Sequence, residues 1–223
     1  IILACCMLDS IGAVDYAAQE RPVMCQAEII LSGLGVIGEN FNGNEYLTRA
    51  EFVSIAVKAM KTSSSADKLP YSDVSVESPY YGEIAEAYWL GAISDADRFY
   101  PDNLITYEEA VKILIHFLGG EYTAERRGGF PSGYVSSAYS LGIFNGLTYR
   151  SGTGISGAEG ATLIRNAMES YYIEESPDGK SFEESENTYM SEYLDIYKSK
   201  GIVTSDGTFD IFGETVTGRI RIN

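Results

Sequence analysis

Apolar positions recur at helical spacing in three separate stretches of the chain. Phe52, Ile55, Ala56 and Met60 form the first set, Val111, Leu114, Ile115 and Leu118 the second, and Leu163, Ile164 and Met168 the third. Steps of three and four residues put each set on one face of a helix. Each stretch opens on the same polar pair, a hydroxyl residue with Glu three places later: Thr48 and Glu51, Thr106 and Glu109, Ser156 and Glu159. This pair predicts a capping box, in which the hydroxyl accepts from the third helical N–H and the Glu reaches back to the cap's own N–H.

Each unit also carries an earlier helix that ends in Leu-Gly and a short apolar pair. The three endings are Leu34-Gly35-Val36-Ile37, Leu90-Gly91-Ala92-Ile93 and Leu141-Gly142-Ile143-Phe144. Glycine just beyond a last helical turn allows the left-handed conformation that stops a helix. Loops rich in Gly, Asn and Asp separate the two helices of each unit. Both markers recur in the same order at intervals of 50 to 58 residues, so the chain holds three helix-loop-helix repeats. One such hairpin cannot bury its apolar face alone, whereas three packed together can.

The pattern changes after Ile173. The acidic stretch over residues 173–187 reads as a linker or an extended crossing segment. A short helix is expected around Thr188 to Lys198. Strands are expected at Gly201 to Thr204, Thr208 to Phe212 and Arg219 to Ile222, as the start of a small β-containing module. At the other end, apolar Ile1 to Leu8 followed by Gly12, Ala13, Ala17 and Ala18 resembles a truncated secretory signal. The competing reading is a buried N-terminal helix. A lipid-modified Cys5 fits less well, because Cys6, Met7 and Leu8 are apolar. The expected divisions are a signal over 1–18, repeats over 19–62, 63–121 and 122–172, a linker over 173–187 and a truncated α+β module over 188–223.

Charge narrows the partners. Sixteen basic residues against 32 acidic ones give a formal charge of −16 over 223 residues. That balance argues against nucleic acid, which needs clustered Lys and Arg, and against an anionic membrane surface. It suits an extracellular protein that must stay soluble. The cysteines are Cys5, Cys6 and Cys25, and the one histidine is His116. Neither a disulfide framework, a thiolate metal site nor a histidine-based catalytic triad can be assembled from them. The loop Asn40 to Glu45 lacks the acidic first ligand and the spaced Glu of a calcium loop, and Asp95, Asp97 and Asp102 are a similarly weak signal. No cofactor, no metal and no enzymatic activity are expected. An anchored polysaccharide-degrading enzyme would need a catalytic domain beyond Asn223.

In its ordered blocks the chain resembles the S-layer homology family over about residues 27 to 170. The second repeat carries most of the likeness: Tyr71-Ser72-Asp73-Val74, the helix from Ile84 to Leu90, Gly91-Ala92-Ile93, Phe99-Tyr100-Pro101-Asp102 and Ile105-Thr106. The first repeat lacks the opening block but keeps Leu47-Thr48-Arg49-Ala50-Glu51. The third, with Gly129-Phe130-Pro131-Ser132-Gly133-Tyr134, diverges most. The resemblance implies a mainly α, pseudo-threefold bundle with grooves between neighbouring repeats. It implies a secreted protein on a Gram-positive-type cell wall, attached without covalent bonds to secondary cell-wall polysaccharide, often through a pyruvate-ketal sugar. The alternative is an assembly module that packs with other surface-layer proteins and binds no glycan. No nucleic acid is expected as a partner, and no membrane after signal removal.

Arg49 is the leading candidate for glycan contact. A cation at the first helical position opposes the macrodipole, at some tenths of a kcal/mol. A helix N-terminus offers N–H groups to an anion, and a guanidinium beside it can grip a carboxylate with two hydrogen bonds. The competing reading pairs Arg49 with a local acid, Glu45 or Glu51. Thr48, Glu51, Thr106, Tyr107 and Ser156 complete the candidate glycan-binding set, although capping alone accounts for the hydroxyls and for Glu51. Glu109 and Glu159 are expected to be structural caps. Tyr107 and Gly157 stand where the other repeats would carry Arg. Tyr107 could stack on a sugar or could be packing. Tyr81, Tyr88 and Trp89 are expected partly in the core, and His116 as a half-buried packing residue.

Overall fold

A computed structural model describes residues 24–62, 68–176, 181–193, 196–198, 209–211 and 214–218. The chain is mainly helical. The first repeat contributes α1 (Gln26–Gly33) and α2 (Arg49–Met60), the second α3 (Tyr81–Trp89) and α4 (Tyr107–Phe117). A short α5 (Glu121–Arg126) precedes the third pair, α6 (Ser132–Ser140) and α7 (Gly157–Met168). The expected signal over residues 1–18 lies outside the described residues.

The three capping boxes form as the sequence predicts. Thr48 Oγ1 accepts from the Glu51 N–H at 3.2 Å, Thr106 Oγ1 from Glu109 at 3.3 Å and Ser156 Oγ from Glu159 at 3.3 Å. Each Glu returns the bond, accepting from the cap's N–H at 2.8, 3.0 and 2.8 Å respectively. Such a cap contributes about 1 kcal/mol. The first helices stop at Gly35, Gly91 and Gly142, all with φ between 71° and 74°. An L side chain there would be strained.

Packing is exchanged between repeats. α2, α4 and α7 meet in the centre, and every predicted apolar position on them is buried. Each outer helix leans on the inner helix of the preceding repeat: α3 on α2, α6 on α4 and α1 on α7. The last of these contacts closes the ring. At its middle, the residues just before the three caps join in a cycle of backbone bonds. Leu47 N–H donates to the Ile155 carbonyl at 3.0 Å, Ile155 to Ile105 at 3.2 Å and Ile105 to Leu47 at 3.0 Å. The three side chains are buried beneath them.

Two expectations about the C-terminal part are corrected. The stretch over 173–187 is not an extended linker. β1 (Tyr171–Glu175) pairs antiparallel with β2 (Phe182–Thr188), with Ile173 opposite Glu184 and Glu175 opposite Phe182. The hairpin is tied to the bundle, because Ile173 N–H donates to the Leu118 carbonyl at 2.6 Å. The following helix is shorter than predicted. α8 (Tyr189–Tyr193) buries Tyr189 and Met190, and the Tyr189 hydroxyl donates to the Met60 carbonyl at 2.7 Å. Its sequel Ile196–Lys198 is a strand, β3, which pairs with β5 (Glu214–Gly218), itself paired with β4 (Phe209–Ile211). The strands expected at Gly201 to Thr204 and Arg219 to Ile222 fall outside the described residues.

The third and first repeats approach closely at Gly157. A Cβ on Gly157 would lie 2.8 Å from the Asn42 carbonyl oxygen and 2.9 Å from Gly43 Cα. Both are backbone atoms and cannot step aside. Gly157→Ala is therefore expected to lower stability by about 2 kcal/mol, read as a lower urea midpoint. Gly38→Ala, whose added methyl meets nothing within 4 Å, should stay within about 0.5 kcal/mol.

Candidate functional site

Arg49 occupies the first position of α2, as predicted, but the N–H groups around it are not free. Arg49 N–H donates to the Asn103 carbonyl at 2.8 Å and Ala50 N–H to the Pro101 carbonyl at 3.1 Å. The turn of the second repeat thus sits on the N-terminus of α2. Around the ring, Gly157 and Ala158 donate to Glu45 and Gly43, and Tyr107 donates to Thr153. The expected anion site built on bare helix amides is corrected: the neighbouring repeat's carbonyls already occupy them.

The guanidinium itself reaches across the same joint. Arg49 Nε donates to the Phe99 carbonyl at 2.9 Å, Nη1 pairs with Glu109 Oε1, and the group lies 4.8 Å from the centre of the Phe99 ring. Its acid is therefore Glu109 of the next repeat rather than Glu45 or Glu51. Glu109 serves twice, since its other oxygen caps α4. Among the described residues Arg49 Nη2 has no hydrogen-bond partner, and Arg49 lines a groove of about 240 Å³ formed mainly by the first and second repeats, with Phe130 of the third.

That groove gathers positive charge. Arg49, Arg98 and Lys112 line it, together with Tyr71, Ser94 and Phe130. The acid beside them, Glu109, is already committed to Arg49 and to its cap. Arg98 stands 3.5 Å from Asp73 with its guanidinium 5.1 Å from the Tyr100 ring. Lys112 Nζ donates to Ser94 Oγ at 2.9 Å. Asp73 holds the turn in shape by accepting from the N–H groups of Phe99 and Tyr100, each at 2.8 Å. Burial alone would raise its carboxyl, but those two bonds and Arg98 hold it below the usual carboxylate range. Asp73 thereby fixes the carbonyl and ring of Phe99 on which Arg49 rests.

At the first helical position of the other two inner helices, the protein's own groups take the space that Arg49 leaves open. Between the second and third repeats Tyr107 is fully buried, so it is a packing residue and cannot stack on a sugar. Arg150 supplies the guanidinium there, donating to Glu159 at 2.6 Å and lying 5.3 Å from the Tyr107 ring. Cation and ring have exchanged places relative to Arg49 and Phe99. The Glu108 carboxylate, 6% exposed, accepts from the Tyr149 hydroxyl at 2.6 Å, Ser151 Oγ at 2.9 Å and Gly152 N–H at 2.9 Å. Burial works against that charge, but the three donors prevail and hold the carboxyl low. Between the third and first repeats the close approach at Gly157 excludes any side chain.

Of the predicted residues, the structure brings Arg49 and Glu109 together and leaves Thr48, Glu51, Thr106, Ser156 and Glu159 as caps around the ring. Arg98, Lys112 and Ser94 were not anticipated. They are distant in sequence from the cap motif and carry no spacing signal. Trp89 departs from its core expectation: it is 55% exposed, with its ring edge-on to Tyr88 at 5.7 Å. His116 is half-buried, as expected, with most of its exposure on the backbone side. It stacks on Tyr134 at 5.8 Å, its Nε2 lies 3.2 Å from the Tyr134 hydroxyl, and its Nδ1 lies 3.5 Å from Glu121.

Comparison with known proteins gives this geometry a context. Residues 70–111, from just before Tyr71 into α4, match the family model described as the S-layer homology domain. The chain is 27% identical over 134 residues to a "Middle cell wall protein" of Brevibacillus brevis (strain 47 / JCM 6285 / NBRC 100599), covering 53% of this chain and 12% of that one. It is also 27% identical over 139 residues to a "Surface layer protein" of Brevibacillus choshinensis, covering 60% of this chain and 12% of that one. The chain therefore spans about an eighth of the length of these curated relatives. Among the described residues no helix is long and apolar enough to cross a membrane.

His116 supplies a pH test of the packing. Burial lowers its pKa from the ordinary value of 6.5, against opposing pull from Glu121 and Glu125 and with help from Lys112. The unfolded chain then binds the extra proton, so stability present above pH 6.5 is lost as pH falls below it. His116→Gln should flatten the stability profile between about pH 7 and pH 5, by less than the ~1.4 kcal/mol per pH unit that one proton allows. Urea unfolding at several pH values reads it.

Proposed function

This chain belongs to the S-layer homology family of secreted cell-surface proteins, and from that premise we propose that the groove at Arg49 holds it to secondary cell-wall polysaccharide. The reading rests on one observation. In a chain of net charge −16, Arg49, Arg98 and Lys112 converge on a single groove whose nearest acid is already engaged. Such a groove suits an anionic sugar, and a pyruvate-ketal carboxylate has the size and charge to enter it. Arg49 would contact it through Nη2, with the guanidinium plane held in advance by Phe99 and Glu109. A donor fixed before binding loses little entropy on contact. Arg98 and Lys112 would add charge-assisted bonds.

The role so described is attachment, without catalysis. The groove at Arg49 would do the binding, because the protein's own groups take the corresponding space at Tyr107 and at Gly157. The same occupied positions favour a second reading, an assembly module. Arg49–Glu109 ties the first repeat to the second, and Arg150 against the Tyr107 ring ties the third to the second, whether or not a sugar is present.

Binding of the full chain to purified Gram-positive walls separates the two readings. Walls would be used intact and after chemical removal of the secondary polymer. Attachment should be lost on stripping. It should weaken about tenfold, near 1.4 kcal/mol, for Arg49→Ala and for the Arg98→Ala, Lys112→Ala double variant. The double variant leaves the Arg49–Glu109 tie intact, so a folding defect in Arg49→Ala cannot mimic the result. Equal binding to intact and stripped walls, or none to either, would reject the polymer-anchor reading.

A further inference from the structure

The groove does not end at Lys112. Ile93, Ser94 and Lys112 also line a second, wider depression of about 440 Å³. Trp89, Tyr88 and Tyr134 form its aromatic walls. Trp89 is the single tryptophan of the chain, and more than half of its surface faces solvent. It is nevertheless held in place. Tyr88 meets it edge-on at 5.7 Å, and Tyr71 meets Tyr88 edge-on at 5.6 Å. Tyr71 lines the first groove. A row of interlocked rings therefore runs from the cationic groove to the open indole.

The charge reverses along that row. The first groove presents Arg49, Arg98 and Lys112, whereas the second depression presents Asp95, Glu121 and Glu125. Carboxylates accept hydrogen bonds from sugar hydroxyls and from amide N–H groups, but they repel another carboxylate. An open aromatic face favours the apolar C–H face of a ring laid on it. The two ends of the trough thus select different units of one ligand.

We infer that Trp89 is an aromatic wall of a second saccharide subsite, which takes an uncharged sugar unit adjoining the charged unit held at Arg49. This inference rests on the anchoring role proposed above and adds to it a length and a direction. The ligand is at least two sugar units long, with its anionic unit at the Arg49 end. Lys112 stands at the junction and contacts both.

The lone tryptophan lets the subsite report on itself. Emission of the full chain would be followed while adding either a pyruvylated monosaccharide or wall-polymer fragments of two or more sugars, with calorimetry in parallel. Fragments should quench or blue-shift the emission, and the monosaccharide should bind and leave it unchanged. Trp89→Ala, at an exposed position, should weaken fragment binding about tenfold and leave monosaccharide affinity unaltered. Arg49→Ala should weaken both. Fragments that bind without altering Trp89 emission, or that bind Trp89→Ala as well as wild type, would overturn the subsite and leave the anchor standing. Absence of calorimetric binding by either ligand to wild type would overturn the anchor and the subsite together.

Discussion

Three backbone hydrogen bonds, running in a cycle through Leu47, Ile105 and Ile155, set the geometry on which the rest of the molecule depends. Each repeat donates one and accepts one, so none is complete without both neighbours. The cycle lies just ahead of the three helix caps, and it therefore aims every inner helix at the turn of another repeat. The free N–H groups at a helix start must find partners, and here the adjoining turn supplies carbonyls for them. Buried apolar faces reinforce the arrangement, because each outer helix covers its neighbour's inner helix instead of its own. Cooperative assembly follows from the exchange, since an isolated repeat would leave both its polar and its apolar requirements unmet.

The grooves are a by-product of this closure. Identical joints in an ideal threefold ring would give three equal clefts, but the sequence differs at the first helical position of each inner helix. Arg49 leaves a cleft and points a cation along it. Tyr107 fills the corresponding space, and Arg150 returns the charge from the opposite side. Gly157 lets backbone meet backbone. Three residues of different volume thus break the symmetry of the scaffold and leave a cationic groove beside Arg49. The cation at the start of α2 is unfavourable toward the helix dipole, but Glu109 and the Phe99 carbonyl offset that cost across the repeat boundary.

Net charge and local charge point in opposite directions in this protein. A strongly acidic exterior repels anionic polymer at long range, while screening confines that repulsion to about 8 Å at physiological ionic strength. Contact would then be decided at short range by the groove, where guanidinium and ammonium groups are held by rings and hydrogen bonds. The acidic residues near Trp89 extend the same logic, since they leave a neutral sugar as the unit best suited to the far end of the trough.

Local chemistry made much of the fold legible. The three capping boxes, the three Leu-Gly stops and the apolar faces of α2, α4 and α7 depend on residues within a few positions of one another, and spacing alone reveals them. The part played by Arg49 as a first-position helix cation was equally readable. Its partner was not: Glu109 lies sixty residues away, and no periodicity links the two. The same is true of Arg98 and Lys112, which line one groove with Arg49, and of Trp89, which shares a second depression with Lys112. The acidic stretch after Ile173 reads as a linker because its charges hide a strand pattern, and a bond to the Leu118 carbonyl just past the end of α4 ties it to the bundle as a hairpin. Sequence by itself determined the repeats, their caps and the burial of their inner faces, because those follow from bonds and faces within one helix. Tertiary structure alone decided which helix N–H groups were already taken, which inner-helix starts were filled and where the cations met, because those depend on the order in which three repeats close on one another.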